Sequence, residues 1–204
     1  MLQIDSCYGC SCCCTSGVAV SFSDVIRILN KLEMSLSEWR KYFDLLNDVE
    51  EDRRVPFLLE INAGDSSQRC IFFNSEHNIC SIHIFKPWLC KRTFCSRITE
   101  SASYEEFYGK YGLDQIFFIN EAKFNREMQL LSDVIELFIS SDRDITRANR
   151  FLSRVSISMG LNLDDQDLEL IERIMIHVSS NETHRLVPRD TSIKGGATYH
   201  DRVR

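Results

Sequence analysis

The sequence predicts an α+β protein rich in helix, with short strands and clustered cysteines in its N-terminal half and helices in its C-terminal half. Two observations favour this class. All nine cysteines lie at or before residue 95, among short apolar runs bounded by turn residues. Beyond residue 103, apolar residues recur every three or four positions, as they do in amphipathic helices. We therefore expect a Cys-rich domain over residues 1–100, whose chemistry is argued below from the cysteine spacing, a helical region over 101–180 and a mobile polar tail over 181–204.

The first elements are predicted by a strand-like run and two helix-start signals. Residues 17–22 form a short apolar run typical of a strand. Ser21-Phe-Ser-Asp24 then matches the Ser/Thr-x-x-Asp/Glu pattern that begins helices, and apolar residues follow at helical spacing. Ser35-Leu-Ser-Glu38 repeats the signal. Its apolar stripe predicts a second helix through Leu46 and consists of Trp39, Tyr42, Phe43 and Leu46.

The middle of the chain is predicted to contain short strands. The charged residues 48–54 indicate a solvated loop, and residues 56–62 read as a strand. The polar turn 74–78 separates two further apolar runs, which predicts a pair of short strands. Pro87 then excludes a continuous helix or a central strand.

The remaining elements are predicted to be helices. Residues 104–111 form a short amphipathic piece, and longer helices are expected over 121–140, 145–159 and 168–178. Gly160 follows the second of these, where a glycine commonly ends a helix.

Charge and hydropathy exclude several classes of partner. The net charge is −6 and the isoelectric point about 5.4, which argues against non-specific nucleic-acid binding. No apolar run approaches the roughly 20 residues that span a bilayer. The first six residues lack the positive and apolar regions of a secretory signal. We expect a soluble cytoplasmic protein with no nucleic-acid and no membrane partner.

The cysteine pattern indicates metal binding. Nine cysteines cannot all pair within the chain, and a reducing cytoplasm keeps thiols reduced. Structural cysteines are usually scattered, whereas five thiols here lie within residues 7–14. Thiolates at short spacing are the ligands of soft metals and of iron–sulfur clusters.

The spacings resemble those of one family. The N-terminal group reads Cys-x2-Cys-x2-Cys-Cys, with Cys12 as an additional thiol, and the later cysteines are separated by nine, nine and four residues. This pattern resembles the CxxCxxCC cysteine-cluster family, also called YkgJ-like, which is proposed to chelate zinc or iron. His83 and Lys86 stand where the family usually has tyrosine and arginine. The resemblance implies eight metal ligands: Cys7, Cys10, Cys13, Cys14, Cys70, Cys80, Cys90 and Cys95.

The type of metal stays open between two alternatives. Eight thiolates could hold two zinc ions with four cysteines each. Cys7, Cys10 and Cys13 also match the opening of a ferredoxin-type run that holds a [4Fe–4S] cluster, although its usual fourth cysteine is missing. We favour the iron–sulfur cluster over zinc.

Three functions are consistent with these residues. The first is a metal-binding protein in a redox, metal-handling or accessory role. The second is an enzyme, because some proteins with similar cysteine clusters are linked to flagellin lysine N-methylation; against it, the chain has no glycine-rich nucleotide loop. The third is a structural zinc module whose helical C-terminal half binds a protein partner. No catalytic residue is assigned.

Overall fold

The computed structural model describes residues 17–47, 57–64, 69–92 and 114–180, and it combines two small antiparallel sheets with helices. The strands are β1 (Ala19–Val20), β2 (Phe43–Asn47), β3 (Phe57–Ile61), β4 (Phe73–Asn74) and β5 (Ile79–Cys80). The helices are α1 (Phe22–Lys31), α2 (Trp88–Arg92), α3 (Asp114–Ser140), α4 (Ile145–Ser158) and α5 (Asp165–Ser180), with 3₁₀ helices at Leu36–Lys41 and His83–Phe85. The predicted α+β class is confirmed, with the described strands in the N-terminal half.

The first sheet has β3 at its centre. β1 and β2 both pair with β3 in antiparallel fashion, in the order β1-β3-β2. Leu59 of β3 lies opposite Val20 on one side and Leu45 on the other, and it is fully buried. The strand predicted over 56–62 is thereby confirmed, whereas the one predicted over 17–22 is confined to Ala19–Val20, because α1 already begins at Phe22.

Helix α1 begins where the start signal predicts. Ser21 has an extended backbone, and its side chain accepts a hydrogen bond from the Asp24 N–H at 3.2 Å. This bond satisfies one of the donors that a helix leaves unpaired in its first turn. Val25, Ile28 and Leu29 form the buried face of the helix.

The second predicted helix is wrong beyond its first turns. Ser35 and Glu38 form the predicted capping box, but the 3₁₀ helix ends at Lys41 and β2 follows at once. The reason is that buried and exposed side chains alternate here, although the apolar residues also fit a helical stripe. Phe43 and Leu45 are buried, whereas Asp44 between them is exposed. That period of two fits a strand beside β3.

The second sheet is the predicted pair of short strands, and it is smaller than expected. β4 and β5 pair over two residues each, and Asn74 accepts a hydrogen bond from the His77 N–H within the turn. Phe72, just before β4, stacks on Tyr42 with ring centroids 5.3 Å apart. This stacking fastens the hairpin to the end of the first sheet.

The helical half follows the predicted order. Helix α3 begins at Asp114, seven residues before the predicted start, and Gly160 after α4 has a positive φ of 68°, as a helix-ending glycine should. The predicted loop at 48–54, the short helix at 104–111 and the tail at 181–204 lie outside the described residues. Within the described ranges, no helix has the length and apolar character needed to cross a membrane.

One hydrophobic core joins the described parts of the chain. β3 packs against α3, and α1 packs against both α3 and α5. Buried side chains of both halves, such as Leu29, Leu59, Leu131 and Ile171, belong to one continuous apolar cluster. The predicted division at residue 100 is not tested by this observation and stays a prediction.

Candidate metal centre

Three of the eight predicted ligands fall within the described residues. Cys70 precedes β4, Cys80 ends β5 and Cys90 lies in α2. None of the three is in a disulfide. The other five (Cys7, Cys10, Cys13, Cys14 and Cys95) and the additional thiol of Cys12 lie outside the described residues.

Cys70 is held by a close backbone approach. It forms an isolated antiparallel bridge with Ala63, and the Gly64 N–H donates to the Arg69 carbonyl at 2.7 Å. A β-carbon added to Gly64 would lie 3.0 Å from the α-carbon of Ile71, which is tighter than nine in ten contacts of real β-carbons. Gly64 therefore allows the segment that carries Cys70 to lie against the end of the first sheet.

The three thiols influence one another. Burial raises the pKa of Cys70 to about 11, and the nearby Cys80 adds to this increase, whereas a backbone hydrogen bond with Phe72 opposes it. Burial also raises the pKa of Cys90, and negative charge on Cys70 and on Cys80 raises it further. The hairpin and α2 have therefore brought three thiols near enough for their charges to interact.

This arrangement fits part of a soft-metal site. Within the described ranges, no three histidine, cysteine or acidic side chains are close enough to form a ligand set by themselves. Three neighbouring thiols, one buried and two partly buried, nevertheless offer the sulfur donors that zinc and iron–sulfur clusters take. The residues present fit such a group as a partial ligand set that needs further cysteines.

The α2 helix is attached to α1 by a partly buried ion pair, Asp24–Arg27, whose two members both lie on α1. The Asp24 carboxylate is only 5% exposed and accepts the Trp88 N–H at 3.1 and 3.3 Å. Arg27 pairs with Asp24 and donates to the carbonyls of Phe85 and Lys86, the latter at 3.2 Å. The residues that lead into the Cys90 helix are thus bonded to a helix of the core.

The same region is joined to the helical half. The ring of Trp88, the first residue of α2, packs against the ring of Phe124 in α3 with centroids 5.1 Å apart. This contact joins α2 to α3. Glu127 of α3 is 1% exposed and accepts hydrogen bonds from the hydroxyl of Ser23 at 2.7 Å and from its N–H at 3.3 Å. These contacts connect α1, α2 and α3 around the Cys90 segment.

Sequence reasoning missed the partners of α2. Ser21-x-x-Asp24 was interpreted only as a helix start, yet the Asp24 side chain also accepts the first N–H of α2. The available signal was that Asp24 lies four residues before Ile28, on the apolar face of α1, where a carboxylate needs a partner. Arg27, three residues later, is that partner.

The comparisons agree with the cysteine pattern. Residues 6–110 match the family model CxxCxxCC, described as a "Putative zinc- or iron-chelating domain". No curated protein and no solved structure gave a significant match. Because the matched residues make up more than half of the chain and include all the predicted ligands, the protein belongs to the CxxCxxCC family of zinc- or iron-chelating domains.

Proposed function

We propose that the chain is a metal-binding protein in which Cys70, Cys80 and Cys90 form one part of a thiolate site completed by cysteines from residues 7–14 and Cys95. The main supporting observation is that three thiols at ten-residue intervals lie near enough for their charges to interact, with Cys70 buried and Cys80 and Cys90 partly buried. Three neighbouring thiols with no disulfide among them are readily explained by a metal that binds their thiolates.

The position of β1 supports the participation of the N-terminal cysteines. β1 contacts α2, the helix that carries Cys90, and the Gly17 N–H donates to the Ile61 carbonyl just before β1. Cys14 is three residues before Gly17, so its α-carbon lies within about 11 Å of that of Gly17. The N-terminal cysteines thus precede, by a few residues, a strand that contacts the Cys90 helix, which supports their participation in the same site.

The group bound is an iron–sulfur cluster in our proposal, with zinc as the alternative. The ferredoxin-like spacing of Cys7, Cys10 and Cys13 favours a [4Fe–4S] cluster, and the hairpin and α2 offer the distant thiolate that the N-terminal run lacks. The corresponding role is redox chemistry, metal handling or assistance to another enzyme in the reducing cytoplasm. The enzyme alternative stays a prediction, and methyl-donor binding is its test.

Anaerobic purification followed by a visible spectrum and metal analysis of the same sample tests the proposal. A cluster gives broad visible absorption that dithionite bleaches, with iron and labile sulfide in equal amounts. Stoichiometric zinc in a colourless protein would instead select the structural alternative. A purified protein that holds neither metal, and takes up neither after anaerobic reconstitution, would contradict metal binding itself.

A matched pair of variants assigns the ligands. Cys90→Ser should lower the bound metal strongly, because a hydroxyl is a poor ligand for soft metals. Cys12→Ser, outside the eight-cysteine pattern, should leave the metal content unchanged. Equal metal loss in both variants would contradict this ligand assignment.

A second proposal concerns the helical half, which we infer to bind an acidic protein segment through α4. Arg147, Arg150 and Arg154 are exposed on one side of α4, and none has a carboxylate partner among the described residues. No acidic residue occurs between positions 145 and 163 in a chain of net charge −6. Ile157, one turn further, is 77% exposed and supplies an apolar contact beside the arginines.

Charge reversal tests this surface. Changing Arg147, Arg150 and Arg154 together to glutamate should abolish binding to partners that cross-linking identifies for the wild-type protein, and the wild-type binding should weaken with salt. Arg173→Glu is the control, because Arg173 is a partly exposed arginine already paired with Glu169. Partners retained by the triple variant would contradict the proposed surface.

A further inference from the structure

We propose that Asp24 and Arg27 are positioning residues that hold the Cys90 helix in place for metal binding before any metal arrives. The inference rests on the proposed function, because it assigns a role toward the group that the cysteines would bind. Asp24 and Arg27 are not ligands themselves, and they lie on α1, whereas Cys90 lies on α2.

Helix α2 needs support from outside itself. It has only five residues, and an isolated helix of that length is unstable in water because forming its first turn is unfavourable. The Trp88 N–H is one of the first-turn donors, and both oxygens of the Asp24 carboxylate accept it. Cys90 is two residues further, in the same turn of helix.

Arg27 holds the residues that precede α2. Its guanidinium donates to the carbonyls of Phe85 and Lys86 and also pairs with Asp24. One side chain therefore bonds two consecutive carbonyls and the carboxylate that caps α2. A lysine could not replace it equally, because an ammonium group lacks the planar set of donors.

The support is independent of the metal. Asp24 and Arg27 lie on α1, whose buried face packs against α3 and α5. Ser21 and Glu127 fix the first turn of α1 through hydrogen bonds to Asp24 and Ser23. The position of Cys90 is thus set by contacts that involve no cysteine, as expected of groups that orient metal ligands.

The negative charge of Asp24 and its positioning of Cys90 have opposite effects on metal affinity, so an experiment can tell which of them dominates. The negative charge of Asp24 near Cys90 disfavours the thiolate that binds metal. Removing that charge should therefore strengthen metal binding if charge were the main effect of Asp24. If positioning dominates, the same change should weaken metal binding.

The experiment titrates the reduced, metal-free full-length protein with Co²⁺ under anaerobic conditions and then displaces Co²⁺ with Zn²⁺. Thiolate-to-cobalt absorption reports binding, and the visible cobalt bands report the ligand geometry. Asp24→Asn retains an oxygen that can accept the Trp88 N–H but loses the ion pair, and Asp24→Ala loses both. We expect about 10- to 100-fold weaker Co²⁺ binding for Asp24→Ala, as is typical for residues that orient metal ligands, and a smaller loss for Asp24→Asn and Arg27→Lys.

Asp144→Ala is the matched control. Asp144 caps α4 by accepting the Arg147 N–H at 3.0 Å, so its loss removes a comparable helix cap from an element that carries no cysteine. Its Co²⁺ affinity and cobalt spectrum should equal those of the wild type. Should Asp24→Ala fail to fold by circular dichroism, Asp24→Asn decides the question.

Each outcome is decisive. Weaker binding with altered cobalt bands in the Asp24 variants alone supports the positioning role. Wild-type affinity, or tighter binding, in a folded Asp24→Asn protein overturns that role and leaves the proposed function intact. Equal weakening by Asp144→Ala also overturns it, because the loss would then follow stability. A wild-type protein that binds neither Co²⁺ nor Zn²⁺, and takes up no iron–sulfur cluster on anaerobic reconstitution, overturns both proposals.

Discussion

Gly64 is the residue whose size matters most for the placement of Cys70. An added β-carbon would meet the backbone of Ile71 at 3.0 Å and the Cys70 carbonyl at 3.5 Å, and backbone atoms cannot yield as a flexible side chain can. We expect Gly64→Ala to destabilise the protein by about 1–3 kcal/mol and to weaken metal binding, because the displaced segment carries a ligand. Denaturant unfolding and Co²⁺ titration measure the two effects.

Gly160→Ala is the control for that prediction. Nothing lies within 4 Å of its added β-carbon, but the positive φ of 68° strains any residue other than glycine. We expect a loss of about 1–2 kcal/mol in stability with unchanged metal affinity. Equal loss of affinity in the two variants would show that Gly64 has no specific role near Cys70.

The raised thiol pKa values predict how the metal-free protein responds to pH. The folded protein retains a proton on Cys70 up to a pKa of about 11, whereas the unfolded chain releases it near 9. The folded state therefore binds more protons in this range, and its stability must fall as pH rises from about 9 to 11. The loss from Cys70 alone amounts to roughly 3 kcal/mol, measured by urea unfolding at a series of pH values.

Metal binding has the opposite dependence on pH. Because Cys70 and Cys90 are protonated at pH 7 in the metal-free protein, each must release a proton when it becomes a ligand. Metal affinity should rise with pH through the neutral range. Calorimetry in buffers of different ionisation enthalpy counts the protons, and a count of zero would contradict ligation by these thiols.

Between elements, Glu127 is the strongest single connection from α3 to the start of α1. It accepts two hydrogen bonds from Ser23 and lies 3.4 Å from the Lys123 ammonium group. We expect Glu127→Ala to cost about 2–3 kcal/mol, because it leaves two donors of Ser23 unpaired in a partly buried site. Thermal or urea unfolding measures this cost. Glu136→Ala, an exposed change on the same helix, should have little effect on stability.

The helices and strands also show which parts of the fold local sequence patterns can predict. The start of α1, the end of α4 and the strand 56–62 follow from capping residues and periodicity, which depend on near neighbours in the chain. The helix predicted through Leu46 was wrong, because Phe43 and Leu46 fit a helical stripe while pairing with β3 decided the conformation. That Cys70, Cys80 and Cys90 act together as ligands was implied by the family resemblance and stays a prediction. The attachment of the Cys90 segment through Asp24, Arg27 and Glu127 joins residues about 60 to 100 positions apart. Periodicity carries no information on contacts of that kind.

At the scale of the whole molecule, the shared core predicts that the two halves are not independent. Phe57 of β3 donates its N–H to Ser132 of α3, and both residues are buried. We expect a fragment of residues 1–100 to bind metal far more weakly than the full chain, because it lacks the α3 surface that covers β3. Native-like affinity in the fragment would establish the division at residue 100 instead.

The same core limits the part of the protein that we expect to unfold when the metal is removed. Spacing alone suggests that chelation unfolds the first hundred residues, but β3 packs against α3, and α1 packs against both α3 and α5. We expect hydrogen exchange to accelerate in residues 69–92 after chelation, and little in α1, β3 and α3. Acceleration throughout residues 17–64 would contradict this expectation.

The bond between Ser23 and Glu127 has a consequence for biosynthesis. The two residues are 104 positions apart, so a ribosome that adds about 5–20 residues per second makes the second roughly 5–20 s after the first. During this interval the cysteines up to Cys95 have been synthesised, yet the α3 surface that closes the core over α1 and β3 is still missing. Stable metal loading should therefore follow synthesis of α3, and until then the nascent thiols depend on the reducing power of their surroundings.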